Sequence, residues 1–344
     1  MLKLRRGVVV AEEPLTIEVD GDARRAWADE RLLGEMRRGD EVVVNTEALD
    51  LGLGSGGFDL VHLNLTRGLA GDGAAGAHVM KLNYASIQHP VELIERRDEE
   101  FGSERHAGIP ILVIPLHGHL APATWAAREA ADGIRVGYVQ TAGGALPGRI
   151  SRDVAQLRSL GLLCGHVTAG PAYGGEQEAL SVAGAFDAAA HRLGWDAAIA
   201  GPGPGIIGSE TRYGHGGMAA LDSAHAALAL GMPTLLSPRL SEGDPRARHH
   251  GLSRHTRAVL ELLLGRVVLP VPDGAEAEAA SLAELADGRH ELRPYRAEVD
   301  RYAASGLPTR TMGRELEDDR LFFAAALAAG RGLAEAVAGN GGDG

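Results

Sequence analysis

The amino-acid sequence predicts an α/β fold, in which a mostly parallel, doubly wound (Rossmann-like) sheet follows a small N-terminal β-barrel-like domain. From Ile109 onward, short apolar segments alternate with segments of helical periodicity, which is the pattern of βαβ units in a parallel sheet. Nearer the N-terminus, short segments rich in β-branched residues follow one another with only turns between them, which favours a small barrel or sandwich. The predicted domains are a barrel or sandwich at 1–77, bridging strands and linker at 78–106, the Rossmann-like domain at 107–275, and a C-terminal helical extension with a frayed tail at 276–344.

The N-terminal domain contains four predicted strands, VVVAEE, LTIEVD, EVVVNTEAL and DLVHLNL. Turn sequences separate them, such as Asp20-Gly21-Asp22 and Arg38-Gly39-Asp40. The glycine-rich stretch Leu51–Gly57 reads LGLGSGG and is interpreted as a barrel hairpin, with a second ligand loop as the alternative. This domain is therefore predicted to be built from strands.

The α/β domain is predicted from six apolar strands separated by helices. The strands are IPILVIPLH, RVGYVQTAG, GHVTAG, DAAIAG, PTLLSPRL and RVVLPV. The predicted helices lie near 124–131, 150–160, 178–193, 218–230 and 255–264, followed by a helix at 277–285, an edge strand at 291–295 and a long alanine-rich helix at 321–337. In open α/β sheets ligands bind outside the carboxyl ends of the strands, so we expect any site in the loops that follow them.

Composition narrows the classes of function. The chain has 344 residues and a formal net charge of −12, so its surface does not attract nucleic acid or anionic membranes. Its single cysteine, Cys164, excludes an intramolecular disulfide and a cysteine-based zinc site, and it fits a reducing cytoplasm. No continuous run reaches the roughly 18 apolar residues of a membrane span, and the apolar run near the N-terminus is too short for a signal peptide. We therefore expect a cytoplasmic protein without nucleic-acid or membrane partners.

The stretch Ala197–Gly217, AAIAGPGPGIIGSETRYGHGG, is the strongest candidate for a ligand loop. A short apolar strand leads into a glycine-rich turn and then into a helix-like segment, which is an arrangement that suits an anion. Gly203, Gly205 and Gly208 have the GxGxxG spacing, but Pro204 lies inside the motif and no acidic residue follows at the distance of a dinucleotide-binding site. The stretch therefore predicts an anion-binding loop, with a tight turn that holds no ligand as the alternative.

Polar and glycine residues follow the other predicted strands as well, and we expect them to line one crevice. The candidate ligand-binding residues are Thr141, Gly143, Gly144, Tyr173, Gly174, Glu176, Gly203, Gly205, Gly208, Thr211, His215, Arg239 and Arg246. The candidate catalytic residues are His117, His119, His249 and His255. Arg310 and Arg314 either reach back to this site or lie on a solvated loop.

Two chemistries suit these residues. His117 and His119 are two residues apart at a strand end, so both can face one side and hold a divalent metal with Glu176, Asp244 or a further histidine. The alternative to a metal site is a set of ordinary polar histidines in a crevice. In the second chemistry, glycine-loop N–H groups and arginines bind an anion while a histidine transfers a proton. The sequence does not identify a cofactor, and a divalent metal is the candidate.

Several motifs together resemble an uncharacterised bacterial family, the domain of unknown function 3866. The resemblance covers nearly the whole chain and carries no established activity or catalytic residue with it. The motifs are GDEVVVNTEALDLGLGSGG at 39–57, YVQTAGGALP at 138–147, GPGPGIIGSETRYGHGG at 201–217, DPRARHHGLSRHT at 244–256 and TMGRELEDDRLFF at 311–323.

The function predicted from these observations is that of an enzyme, a hydrolase or group transferase, acting on a small anionic or phosphorylated metabolite at the strand ends of the α/β domain. One alternative is a non-catalytic module that senses a ligand or regulates a partner. Another is a structural subunit of a homo-oligomer, in which the C-terminal helix with Phe322 and Phe323 forms the contact. The expected partner is a small anionic molecule.

Overall fold

The computed structural model describes residues 1–53, 56–95 and 108–340. Contacts within the chain divide it into two units, Met1–Glu92 and Leu93–Gly344. Residues 54 and 55 of the predicted glycine-rich hairpin and residues 96–107 of the predicted linker lie outside the described part. The finer domain boundaries given above stay predictions.

The first unit contains a closed five-stranded barrel. Its elements are β1 (Leu4–Glu12), β2 (Leu15–Val19), β3 (Asp22–Trp27), α1 (Glu30–Leu33), β4 (Glu41–Asn45), α2 (Glu47–Asp50) and β5 (Asp59–Asn64). The strand order is β1-β2-β3-β5-β4, and pairing of β4 with β1 closes the barrel. Alternate side chains, including Val9, Ile17, Val42 and Val44, fill the interior because successive residues of a strand face opposite sides. Two short strands, β6 (Val79–Lys81) and β7 (His89–Val91), form a separate antiparallel pair.

The second unit alternates strands and helices along the chain. Its elements are β8 (Ile111–Val113), α3 (Leu120–Ala130), β9 (Val136–Thr141), α4 (Arg152–Ser159), β10 (Gly165–Ala169), β11 (Gln177–Ala179), α5 (Val182–His191), β12 (Ala197–Pro202), α6 (Ala219–Ala229), β13 (Thr234–Leu236), β14 (Leu240–Ser241), β15 (Gly251–Leu252), α7 (Arg254–Leu262), β16 (Val268–Pro272), α8 (Glu276–Ala286), β17 (Glu291–Tyr295), α9 (Val299–Ala303), β18 (Arg310–Thr311), β19 (Arg314–Glu315) and α10 (Arg320–Asn340).

Eight of these strands form one parallel sheet in the order β11-β10-β9-β12-β8-β13-β16-β17. Both faces of the sheet are covered. In β8, Ile111 and Val113 pack with α5, α6 and α7, while Leu112 packs on the opposite face with α3 and α10. This two-sided burial explains why the central strands are apolar throughout. The structure confirms the predicted α/β fold with a parallel sheet and an N-terminal barrel.

Helix α10 packs within the second unit. Phe322 and Phe323 are almost completely buried in the core that also contains α3, so neither side chain is free to form the oligomer contact considered above. A Cβ atom on Gly330 would collide with the backbone carbonyl of Ala123, so the glycine lets the two helices approach closely. By length and composition α10 is apolar enough to span a membrane, but 61% of its most apolar window is buried in the protein. That burial is typical of a core helix.

The order of the strands decides which loops meet. The chain leaves β8 toward β9 on one side, whereas it leaves β12 toward β13 and β13 toward β16 on the other, although β12 and β13 both pair with β8. A crevice opens at the carboxyl ends of strands where the connections diverge in this way. The loops after β8, β12 and β13 are therefore the ones placed to build a site.

Candidate functional site

A cleft of about 650 Å³ lies at the carboxyl ends of β8, β12 and β13. It is lined by residues that follow these strands, by Asp153 of α4 and by the β18–β19 hairpin. Its volume falls in the range of pockets that bind small molecules. All of its lining residues belong to the second unit.

Arginines dominate the charge of this cleft. Six of them line it, whereas Asp153 and Glu210 are the lining carboxylates among the residues described. The six are Arg239, Arg246, Arg248, Arg254, Arg310 and Arg314. The whole chain carries a formal charge of −12, so this local excess of positive charge creates a field that draws anions to the cleft.

A buried carboxylate, Asp244, holds two of the arginines in place. Its Oδ2 accepts hydrogen bonds from Nη2 of Arg239 at 2.9 Å and from Nη2 of Arg246 at 2.8 Å, and its Oδ1 accepts one from Nε of Arg246 at 2.8 Å. Burial alone would raise the pKa of Asp244, but the hydrogen bonds and charges of Arg246 and Arg239 hold it well below its usual range. Asp244 is therefore ionised at neutral pH and orients both guanidinium groups.

Arg239 is the most buried cation of the cleft, with only 3% of its surface exposed. Burial lowers its pKa to about 10, against the opposing effect of Asp244, so it stays protonated at neutral pH. Its Nε has no hydrogen-bond partner among the residues described, although the group lines the cleft. A buried, partly unsatisfied guanidinium is costly to keep unless a ligand supplies acceptors.

A second carboxylate, Asp319, brings the β18–β19 hairpin to the cleft. Its side chain accepts hydrogen bonds from Ser241 Oγ at 2.6 Å, from the backbone N–H of Glu242 at 2.9 Å and from Arg314 Nε at 3.0 Å. These bonds connect the loop after β14 to the residues just before α10. Arg314 is therefore presented on a fixed support rather than on a solvated loop.

Three histidines pack against one another at one side of the cleft. The rings of His215 and His255 stack in parallel at 3.6 Å, and His249 contacts His255 edge-on at 4.5 Å. Burial is the largest cause of the low pKa values of these side chains. It lowers the pKa of His215. Together with Arg239 and neighbouring charges, it lowers the pKa of His249 to about 3 and that of His255 to about 2. All three imidazoles are neutral at neutral pH.

His249 and His255 differ in whether the protein occupies their ring nitrogens. Nε of Arg248 donates to Nε2 of His249 at 3.3 Å, so the proton of that ring is on Nδ1, which donates to Ser253 Oγ at 2.7 Å. Both nitrogens of His249 are thus occupied by the protein. Neither ring nitrogen of His255 has a hydrogen-bond partner in the described ranges, and this side chain lines the cleft. His255 is the imidazole available to a ligand.

His117 and His119 follow β8 but point to different partners. Nδ1 of His117 faces the carbonyl of Pro202 at 3.3 Å and therefore carries the proton, which leaves Nε2 to accept from Ser151 Oγ at 2.7 Å. Nδ1 of His119 lies 2.9 Å from Ser237 Oγ, and its ring packs against Phe322 away from the cleft lining. Burial lowers the pKa of both, that of His119 to about 3.

The structure shows no group of metal ligands in residues 1–53, 56–95 and 108–340. In these ranges, no three or more His, Cys, Asp or Glu side chains lie close enough together to hold a metal ion. The two histidines proposed as ligands bond to separate serines, Ser151 and Ser237. A divalent metal at this site stays a prediction.

The glycine-rich turn after β9 serves packing. A Cβ on Gly143 would meet the carbonyl oxygen of Gly216, and one on Gly144 would meet that of Gly203. Thr141 is buried, and its hydroxyl donates to the carbonyl of Ala142 at 3.2 Å. These residues do not line the cleft but support the loop that does.

The turn after β10 is also outside the cleft lining. The N–H of Gly174 donates to Glu178 Oε1 at 2.6 Å, Glu176 pairs with Arg158 at 2.5 Å, and Tyr173 bonds through its backbone to Leu146. Strand β10 lies toward the edge of the sheet, two strands from β12, which explains the separation. Their candidate ligand-binding role stays a prediction, without support from the cleft geometry.

The cleft brings together about half of the residues that the sequence predicted for a site. It contains His117, His249, His255, Gly205, Gly208, Thr211, Arg239 and Arg246, with His215 stacked behind His255. Sequence reasoning missed Arg248, Arg254 and Asp153, which also line it. The dense run DPRARHHGLSRHT was the available signal, but arginine is so common in this chain that no single one stood out.

Comparisons with known proteins show to which family the chain belongs. No curated protein matches the chain. A solved structure titled "Crystal structure of YjeQ from Thermotoga maritima" aligns with 48% of this chain and 51% of its own, at 14% identity and a TM-score of 0.15, so the chain spans about half the length of that protein. A sequence model described as "Protein of unknown function (DUF3866)" matches residues 25–330. The resemblance drawn from the motifs is thus confirmed, and the chain belongs to the family DUF3866.

Proposed function

We propose that the protein is an enzyme, a hydrolase or group transferase, whose cleft binds a small anionic metabolite through a phosphate group. The observation that carries this proposal is the set of six arginines in one cleft of an acidic protein, with Asp244 orienting two of them. Guanidinium groups bind phosphate bidentately, and a fixed orientation reduces the entropy lost on binding. The proposal includes a cytoplasmic location, which is supported by the single cysteine, Cys164, whose thiol pKa burial raises.

Arg254 is the cation we assign to direct contact with the ligand. It lines the cleft, it is exposed, and it has no ion-pair or hydrogen-bond partner among the residues described. It is also the first residue of α7, where the helix dipole favours a negative charge. Arg239 and Arg246 then complete the anion site from the side held by Asp244.

His255 is the group we assign to proton transfer. Its imidazole is neutral and has no hydrogen-bond partner among the residues that the structure describes, so one nitrogen can accept a proton from an attacking water or hydroxyl. A bound phosphate would offset the neighbouring arginines and raise the pKa of His255 toward the range in which a base is effective. Asp153, 3.9 Å from His117 Nε2, is a carboxylate that also lines the cleft.

A second candidate is a ligand-sensing or regulatory module without catalysis. It is favoured by the occupied nitrogens of His117 and His249, which leave few groups free for chemistry. The two candidates differ in what His255→Gln would do. An enzyme would lose turnover and keep its affinity for phosphate, whereas a sensor would have no turnover to lose.

The direct test is calorimetric titration of the protein with inorganic phosphate, followed by a screen of phosphate monoesters for release of phosphate. We expect Arg254→Gln to weaken phosphate binding by about tenfold to a hundredfold, since a charge-assisted hydrogen bond contributes roughly 1.5–3 kcal/mol. Arg266→Gln is the matched control, because Arg266 is 68% exposed in its side chain and precedes β16, at the amino ends of the strands and away from the cleft at their carboxyl ends. Phosphate binding that is absent, or equally weak in both variants, would contradict the proposal.

A further inference from the structure

One part of the cleft lining is apolar and exposed. Pro204, Ile206 and Ile207 line it from the loop after β12, and Met312 lines it from the tip of the β18–β19 hairpin. Ile207 is 76% exposed and Met312 is 45% exposed. Large apolar side chains left open to water inside a pocket indicate a surface that a ligand covers.

Met312 directly adjoins the arginines of the proposed phosphate site. Its Sδ lies 3.4 Å from Nη2 of Arg239 and 3.9 Å from Nη2 of Arg246. The apolar and cationic parts of the cleft therefore meet, and one small molecule can contact both. The backbone of Met312 has φ of 48°, a left-handed conformation that costs a non-glycine residue free energy, so the fold maintains this side chain at the hairpin tip against local strain.

Groups that recognise sugars or bases are scarce in the same lining. Among the cleft-lining residues that the structure describes, none is Asn or Gln, whose amide groups can both donate to and accept from base edges and hydroxyls. The hydroxyl of Thr211 is already engaged with Ser209 at 2.9 Å and with the N–H of Gly214 at 3.1 Å. Beyond the charged side chains, Thr311 and the backbone, a polyhydroxylated ligand would find few partners for its hydroxyls, and each unpaired hydroxyl costs affinity.

We propose that the substrate is an amphipathic phosphate monoester, in which the phosphate is attached to an alkyl or aromatic body that packs against Ile207 and Met312. The proposal rests on the phosphate site argued above and adds the chemical class of the group attached to it. The arginines bind the charged end, and the loop after β12 together with the hairpin tip covers the apolar end. Ile207 and Met312 are then the residues that determine specificity.

The test compares the affinities of four probes by calorimetry: inorganic phosphate, butyl phosphate, phenyl phosphate and ribose 5-phosphate. Burial of three or four methylene groups or of one ring should make butyl and phenyl phosphate bind at least about tenfold more tightly than inorganic phosphate. Ribose 5-phosphate should bind no more tightly than inorganic phosphate does. The double variant Ile207→Ser/Met312→Ser should remove most of the gain, measured in each protein as the ratio of the affinity for the apolar esters to the affinity for inorganic phosphate.

The matched control is Leu264→Ser, because Leu264 is 92% exposed and lies between α7 and β16, at the amino ends of the strands and away from the cleft. It should keep the full preference for the apolar esters. Equal affinities for all four probes, or tighter binding of ribose 5-phosphate, would overturn the amphipathic substrate and leave the phosphate site standing. Failure of every probe to bind would overturn the phosphate site and this inference with it.

Discussion

Two turns of the same sheet, the one after β9 and the one after β12, are both rich in glycine but have different roles. In the first, side chains are excluded at Gly143 and Gly144 because other backbone segments lie against them. In the second, Gly205 is exposed and has φ of 75°, and no atom of the described residues lies within 4 Å of the position that its Cβ would take. The comparison teaches that glycine in a strand-end loop indicates either close packing or an open ligand loop, and that only the surroundings distinguish them.

The packed turn supports the open one. The N–H of Ala145 donates to the carbonyl of Pro204 at 2.8 Å, and Gln140 Nε2 donates to the carbonyl of Ala145 at 3.0 Å. These bonds fix the start of the loop that contains Gly205, and this loop forms one wall of the cleft. On its other side the cleft is held by charges, since Asp244 lies beneath Arg239 and Arg246. The two regions therefore depend on different physical interactions, which predicts different responses to substitution.

The largest effect is expected at the charged side. Asp244→Asn would leave Arg239 buried without an ionised partner, and we expect a loss of about 3–5 kcal/mol in the free energy of unfolding. Urea denaturation measures this loss in the free energy of unfolding. Glu291→Gln is the control, because Glu291 pairs with two exposed arginines and should cost less than about 1 kcal/mol. Equal losses in the two variants would mean that Asp244 does not hold the cleft.

An intermediate effect is expected at the packed turn. Gly144→Ala places a Cβ against the carbonyl of Gly203, so the backbone must shift, at a cost of about 1–3 kcal/mol. Gly205→Ala has open space and pays only for its left-handed backbone, about 1 kcal/mol. Thermal denaturation of the two variants tests the comparison between the turns. If Gly205→Ala were the more destabilising of the two, the assignment of packed and open roles would be wrong.

The smallest effect is expected in the pH dependence of stability. The folded-state pKa of His255 is about 2, far below the 6.5 of an ordinary histidine, so the unfolded chain binds more protons than the folded one between these values. Stability contributed by the neutral ring is therefore complete above about pH 6.5 and is lost as the pH falls. His255→Gln should reduce the slope of unfolding free energy against pH, between about pH 4.5 and 6.5, by up to about 1.4 kcal/mol per pH unit.

The control for this slope is His250→Gln, because His250 is the exposed neighbour of the buried His249. It should leave the slope as it is in the unsubstituted protein. Carboxylates such as Asp244 contribute mainly below about pH 4, so the chosen range separates the histidines from them. An unchanged slope in His255→Gln would contradict the burial of a neutral imidazole at this position.

Much of the fold was predictable because its signals are local. The helix predicted at 218–230 corresponds to α6 at Ala219–Ala229, and the one at 321–337 corresponds to α10 at Arg320–Asn340. Helical periodicity and apolar runs reflect burial within a few turns of chain, so they can be read without the rest of the molecule. The change from a barrel to an α/β unit was visible for the same reason.

The site was predictable only in part because it depends on strand order. All strand-end loops were expected to converge, yet β12 lies between β9 and β8, and β10 and β11 lie at one edge of the sheet. Tyr173 and Glu176 are thereby placed away from the cleft, while Arg314 is brought to it by Asp319 from far along the chain. No local pattern contains the order in which strands pair.

The sequence by itself determined which segments are buried strands and helices, that a barrel precedes a parallel sheet, and that glycines, arginines and histidines follow the strands. These properties follow from hydrophobic periodicity and turn chemistry, which act between near neighbours in the chain. Only the tertiary structure decided that Gly144 packs while Gly205 stays open, and that Arg239 is buried beside Asp244 while Arg254 lines the cleft without an ion pair in the described part of the chain. The physical reason is that the role of a glycine or a charged side chain is set by the atoms around it, and those atoms come from distant parts of the chain.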